Sequence, residues 1–113
     1  MDCGGGDTPT PNQKVIAMRT LLRARLDTER GSEAIRSGKM PELIKETLDK
    51  IKPEAAYFGP DEGRRTMFLV FDLADPSQIP SIAEPLFLNF GAELEWTPVM
   101  NLDDVQKGLS QIR

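Results

Sequence analysis

Between Met18 and Leu26 the side chains alternate strictly. Met18, Thr20, Leu22, Ala24 and Leu26 fall on one side, and Arg19, Leu21, Arg23 and Arg25 on the other. A period of two is that of a β-strand, here the later part of a run that starts at Lys14, and one of its sides carries no charge. A strand of this kind belongs to a sheet covered by helices on one face only, and this restricts the fold to layered α+β arrangements.

The periodicities that follow set the order of elements. D-T-E-R-G-S after Leu26 is turn-rich, and Ser32 is placed to cap a helix with Glu33 near its positive end. Met40, Ile44, Thr47, Leu48 and Ile51 recur at threes and fours, the signature of a helix with one buried stripe. Gly38 and Pro41 predict a bend or two helical pieces meeting there. Ala55–Phe58 and Thr66–Leu73 read as two strands of a hairpin, with turn chemistry in Gly59-Pro60-Asp61-Glu62-Gly63 between them. The second of these is nearly all apolar and is expected to be central in the sheet.

Asp75-Pro76 signals another helix start, with Ile79, Ile82, Ala83, Leu86, Phe87 and Phe90 as its buried stripe and Gly91 as its end. Residues 93–100 alternate again. Asn101 then caps a short helix expected to bury Leu102, Val105 and Leu109. Strand, helix, strand, strand, helix, strand is the ferredoxin-like βαββαβ order: one antiparallel sheet with helices on one face.

Composition narrows the chemistry. Of 113 residues none is histidine, which removes the commonest general base, zinc ligand and neutral-pH switch. Cys3 is the single cysteine, too few for a disulfide framework or thiolate cluster, and it reads as an incidental thiol. A net charge of −4 argues against nucleic acid as a partner. No run approaches the roughly 18 apolar residues of a membrane span, and the first residues lack the pattern of a secretory signal, so a cytoplasmic protein is expected. Residues 1–13, rich in glycine, proline and small polar groups, read as a disordered tail, or as part of an extension or expression remnant reaching residue 17. Residues 14–113 read as a single domain. Charge is polarised along the chain: residues 14–52 carry ten basic and six acidic groups, residues 53–113 four and ten.

The helix-free sheet face is where function is expected. Its residues are Arg19, Leu21, Arg23, Phe68, Val70, Asp72, Glu93, Glu95, Thr97 and Val99. A wetted face would be almost wholly polar; this mixture predicts burial against a partner, most simply a second copy in a twofold homodimer. With the first strand between the third and fourth, Arg19 and Arg23 become lateral neighbours of Asp72, Glu93 and Glu95. Two readings follow. In one, these pairs fix register and dimer geometry and bind nothing else. In the other, the dimer encloses a cavity where Arg19 or Arg23 holds a small organic anion or carbonyl compound, and Asp72 or Glu95 moves a proton. Tyr57 is a candidate proton donor there, or a structural aromatic with a surface hydroxyl. Trp96 is expected as a core or interface anchor. Asp103-Asp104 with Glu93 and Glu95 lack calcium-loop spacing, and capping and ion pairing explain them; no metal site is expected. The Gly59–Gly63 loop has no helix after it and is no phosphate cradle.

Lys52-Pro-Glu-Ala-Ala-Tyr-Phe58, Arg65-Thr66 leading into Phe71-Asp72-Leu73, Asp75-Pro-Ser-Gln-Ile-Pro80, Ala83-Glu-Pro-Leu-Phe87 and Pro98-Val-Met-Asn101 together resemble a group of small uncharacterised bacterial proteins. That group resembles the dimeric α/β-barrel superfamily, from about Met18 onward. The resemblance implies two ferredoxin-like sheets paired into a barrel. The superfamily includes cofactor-independent monooxygenases, lactone isomerases, polyketide cyclases and members without a known reaction. Many of its enzymes use a histidine or haem ligand that this chain lacks, so no catalytic residue carries over and no cofactor is implied. The expectation is thus a homodimer that binds, isomerises, cyclises or oxygenates a small organic molecule without a cofactor. The alternative is a non-catalytic structural or regulatory dimer whose sheet face serves self-association alone.

Overall fold

A computed structural model describes residues 17–112. The tail expected over 1–13, the strand residues before 17 and Cys3 lie outside the described residues. The elements are β1 (Met18–Arg25), α1 (Thr28–Arg36), α2 (Met40–Ile51), β2 (Ala55–Asp61), β3 (Arg64–Leu73), a 3₁₀ turn (Pro76–Gln78), α3 (Ile79–Phe90), β4 (Glu93–Pro98) and α4 (Leu102–Ser110). The strands form one antiparallel sheet in the order β2-β3-β1-β4, an α+β arrangement compatible with a ferredoxin-like fold.

The alternation read from β1 sorts side chains onto the two faces as expected. Leu22 and Ala24 are fully buried on the helix side, laterally beside Leu69 and Met67 of β3 and Trp96 and Leu94 of β4. Phe71, Ile82, Leu86 and Phe90 complete the core, and Met40, Leu43, Leu48 and Ile51 of α2 pack against its edge. Trp96 meets Phe71 edge-on, with ring centroids 6.3 Å apart and planes at 65°, and packs, partly buried, against the core.

The first helical region is two helices. Asp27, not Ser32, is the cap: its carboxylate accepts from the Arg30 N–H, and the helix begins four residues before Ser32. An acceptor carboxylate directly after a strand satisfies the first orphan amides as soon as the chain can turn, so the earlier cap wins. The break falls at Ser37–Lys39, where Gly38 takes φ +79, and Pro41 sits harmlessly in the first turn of α2.

The hairpin is tighter than the sequence suggests. Gly59 and Pro60 continue β2, and the reversal is confined to Glu62 (φ +54) and Gly63 (φ +78), the two-residue geometry that matches strand twist. Pro60 is tolerated because β2 is an edge strand.

Asp75 caps a 3₁₀ turn that leads into α3, and Pro85 lies within that helix. Gly91 closes α3 at φ +56; its amide donates to Phe87 O, and a Cβ there would lie 3.0 Å from the Arg30 side chain and 3.3 Å from Asp27 Cβ. Phe87, placed in the buried stripe by its spacing, is instead partly exposed. The last helix also differs from expectation. Asn101 caps it in a reciprocal capping box with Asp104, but Leu102 and Leu109 remain largely exposed. Among the described residues no helix is long and apolar enough to cross a membrane.

Candidate functional site: the open face of the sheet

Opposite the helices, strand register builds rows of side chains. One row runs Ala55, Val70, Leu21, Thr97; the next runs Tyr57, Phe68, Arg23, Glu95; the third runs Gly59, Thr66, Arg25, Glu93. Asp72 stands across from Arg19 at the end of the sheet. The apolar members therefore gather in the middle. Leu21, Phe68 and Val70 are half-buried, and the Tyr57 ring at the edge is 69% exposed.

Two charged clusters bound this apolar strip. At one end Arg19 donates from Nε to Glu54 and from Nη1 to Asp104, both at 2.9 Å. Glu54 precedes β2, its N–H bonded to Val70 O, and Asp104 is the first-turn member of the α4 capping box, so one guanidinium ties β1 to the start of β2 and to α4. The hydrogen bond that Arg19 donates to Glu54, with the nearby carboxylates, outweighs desolvation and holds Arg19 above its ordinary pKa.

At the other end Arg25 is the centre. Its side chain is only 10% exposed and contacts Asp61 at 2.8 Å, Glu95 at 3.0 Å and Glu62 at 3.6 Å. Burial works against its charge, yet the hydrogen bonds to Asp61 and Glu95 win, and its pKa is raised. Arg23 contacts Glu95 more loosely, at 3.6 Å, and Arg64 pairs with Glu93.

Arg19, Arg23, Asp72 and Glu95 share one face, as the strand alternation predicts, and Tyr57 joins them at the β2 edge. The partners differ in detail. Arg19 and Asp72 are opposed in register, but the ion pairs of Arg19 go to Glu54 and Asp104, and Asp72 forms none among the described residues. The Arg23–Glu95 pair is as expected from adjacent strands. Arg25 was legible as a residue of this face but not as its charged hub. Its role depends on Asp61, and the turn reading of 59–63 hid that Asp61 belongs to a strand.

Among the described residues no buried side-chain nitrogen or oxygen lacks a hydrogen-bond partner, and no group of three or more acidic, cysteine or histidine side chains is arranged to hold a metal. No known family model, curated protein or solved structure matches the chain.

Proposed function

We propose that this protein is a homodimer of the dimeric α/β-barrel type, in which the open sheet face is covered by the same face of a second copy in a structural or regulatory role. The observation that carries this reading is the layout of the face: an apolar strip through Val70, Leu21 and Phe68, flanked on both sides by arginine–carboxylate clusters closed within the chain. An apolar centre with a polar rim is the anatomy of a protein interface. Because one patch carries both parts, a twofold axis lets it meet itself. Arg19 and Arg25 are already neutralised by carboxylates of their own chain, so they can be brought against a partner without leaving an unpaired charge. The resemblance to the barrel superfamily points the same way.

A second reading keeps a small organic anion or carbonyl compound inside the dimer. It is favoured by one feature: Arg23 has only a 3.6 Å contact to Glu95, while Asp72 and Tyr57 share the face without an ion pair or hydrogen bond among the described residues. These are the groups that would orient such a molecule and exchange a proton with it.

The test is light scattering of the full chain beside the double variant Leu21→Glu, Val70→Glu. These two residues are cross-strand neighbours at the centre of the strip. The expected result is a dimer for the natural sequence and a folded monomer for the variant, judged by circular dichroism. A natural chain that is monomeric, or a variant that stays dimeric, overturns the reading.

A further inference from the structure

The other side of the sheet has a groove that the core does not fill. It lies between α1, α2 and the β2–β3 hairpin, holds ≈ 620 Å³, and takes its apolar lining from Leu26, Ile35, Met40, Ile44, Phe58 and Met67. Ile35 and Phe58 are each about half exposed at its margins (51% and 52%), a cost a closed core avoids. The groove is of the size and apolar character usual for a small-molecule site.

Two cations line it, Arg64 and Arg65, and only the second is free of a carboxylate among the described residues. On β3 the residues facing the helices are Arg65, Met67, Leu69, Phe71 and Leu73, and Arg65 alone among them is charged. Its neighbour Arg64, on the opposite face, is taken by Glu93. Arg65 pairs with no carboxylate among the described residues; its Nη1 has only the Thr28 carbonyl oxygen, at 3.4 Å. The guanidinium lies along the first turns of α1 because residue 31 is glycine: a Cβ there would sit 3.1 Å from Nη1 and 3.6 Å from Cδ. An arginine at a position where the strand pattern calls for an apolar residue, held beside an apolar groove with donors to spare, is complementary to an amphipathic anion.

We propose that this groove binds a free carboxylic acid with an acyl or aryl body, its carboxylate on Arg65 and its apolar body against Phe58, Ile44, Met40 and Met67. Met40 and Met67 supply unbranched, adaptable walls that accept bodies of varied outline. The site is on the helix side of the sheet, so it stands or falls independently of the self-association reading.

The probe is decanoate, with decanol as its uncharged counterpart, titrated calorimetrically into the full-length protein and followed by methyl shifts of Met40, Ile44 and Met67. Decanoate is expected to bind about tenfold or more tightly than decanol, the discrimination of a charge-assisted hydrogen bond. Arg65→Gln is expected to abolish that preference while leaving decanol binding and the melting temperature unchanged. Gly31→Ala, which displaces the guanidinium, is expected to reduce the preference, and Arg65→Lys to restore part of it over Arg65→Gln. Equal binding of the two probes, or indifference to Arg65→Gln, overturns the proposal. So do shifts confined to Leu21 and Val70, which place the acid on the open face. Absence of binding at millimolar probe does the same, and is the result expected if another part of this chain or a second copy already fills the groove.

Discussion

Leu21 and Leu22 are adjacent in sequence and differ only in which face of β1 they occupy. Replacing each by alanine separates what the core does from what the open face does. Leu22 is fully buried between Leu69 and Trp96. Truncation there removes about three methylene equivalents at roughly 0.8 kcal/mol each and adds a cavity term, for a loss of about 3–4 kcal/mol. With a urea m-value of about 2 kcal/mol/M, the unfolding midpoint should fall by about 1.5–2 M. The loss should be the same at every protein concentration up to the common effect of dissociation. Leu21 is half-buried in the single subunit, so its truncation should cost about 1 kcal/mol in dilute solution. In the dimer its remaining surface is covered, and the cost should rise by a further 1 kcal/mol or so per subunit as concentration increases. Urea unfolding followed by tryptophan fluorescence at two concentrations about a hundredfold apart measures both. A Leu21→Ala loss that is independent of concentration refutes the idea that this face is buried by a partner. A Leu22→Ala loss no greater than that of Leu21→Ala refutes the assignment of faces.

Three further substitutions test the local arguments. Gly91→Ala forces an L-residue into φ +56 against the Arg30 side chain and Asp27 Cβ, and thermal unfolding should register a loss of about 1–2 kcal/mol. Glu62→Gly relieves a positive φ in the two-residue turn and should raise stability by about 1 kcal/mol in the same assay; a loss would mean that the Arg25 contact of Glu62 outweighs the backbone term. Arg25→Met removes the cation shared by Asp61, Glu62 and Glu95, and the melting temperature should fall, with partial recovery when Asp61→Asn is added.

Much of the fold was legible because β1 and β4 alternate between an apolar and a mixed side, and β3 is a nearly unbroken apolar, β-branched and aromatic run bounded by turn residues. What the sequence obscured came from competition between local signals. Ser32 and Asp27 both qualify as helix caps, and only the path of the chain after β1 selects Asp27. Gly59-Pro60 has turn composition, yet an edge strand accommodates both residues, and Asp61 is thereby carried to Arg25. The α4 stripe has the spacing of a buried face, but spacing does not say whether the same subunit supplies the cover, and Leu102 and Leu109 stay exposed. Among the candidate site residues, lateral neighbours such as Arg23 and Glu95 could be inferred from strand order. The contacts of Arg19 with Glu54 and Asp104 could not, because they join strand to loop and helix cap across 35 and 85 residues. Extending the alternation of β3 back two residues from Met67 places Arg65 on the helix face.

The face-to-face account is tested most directly by isotope-filtered NOE spectroscopy on a mixture of labelled and unlabelled subunits, which reports only contacts between copies. It predicts cross-subunit contacts among Leu21, Tyr57, Phe68 and Val70. A spectrum with none, or with contacts only from the helix side of the sheet, contradicts it.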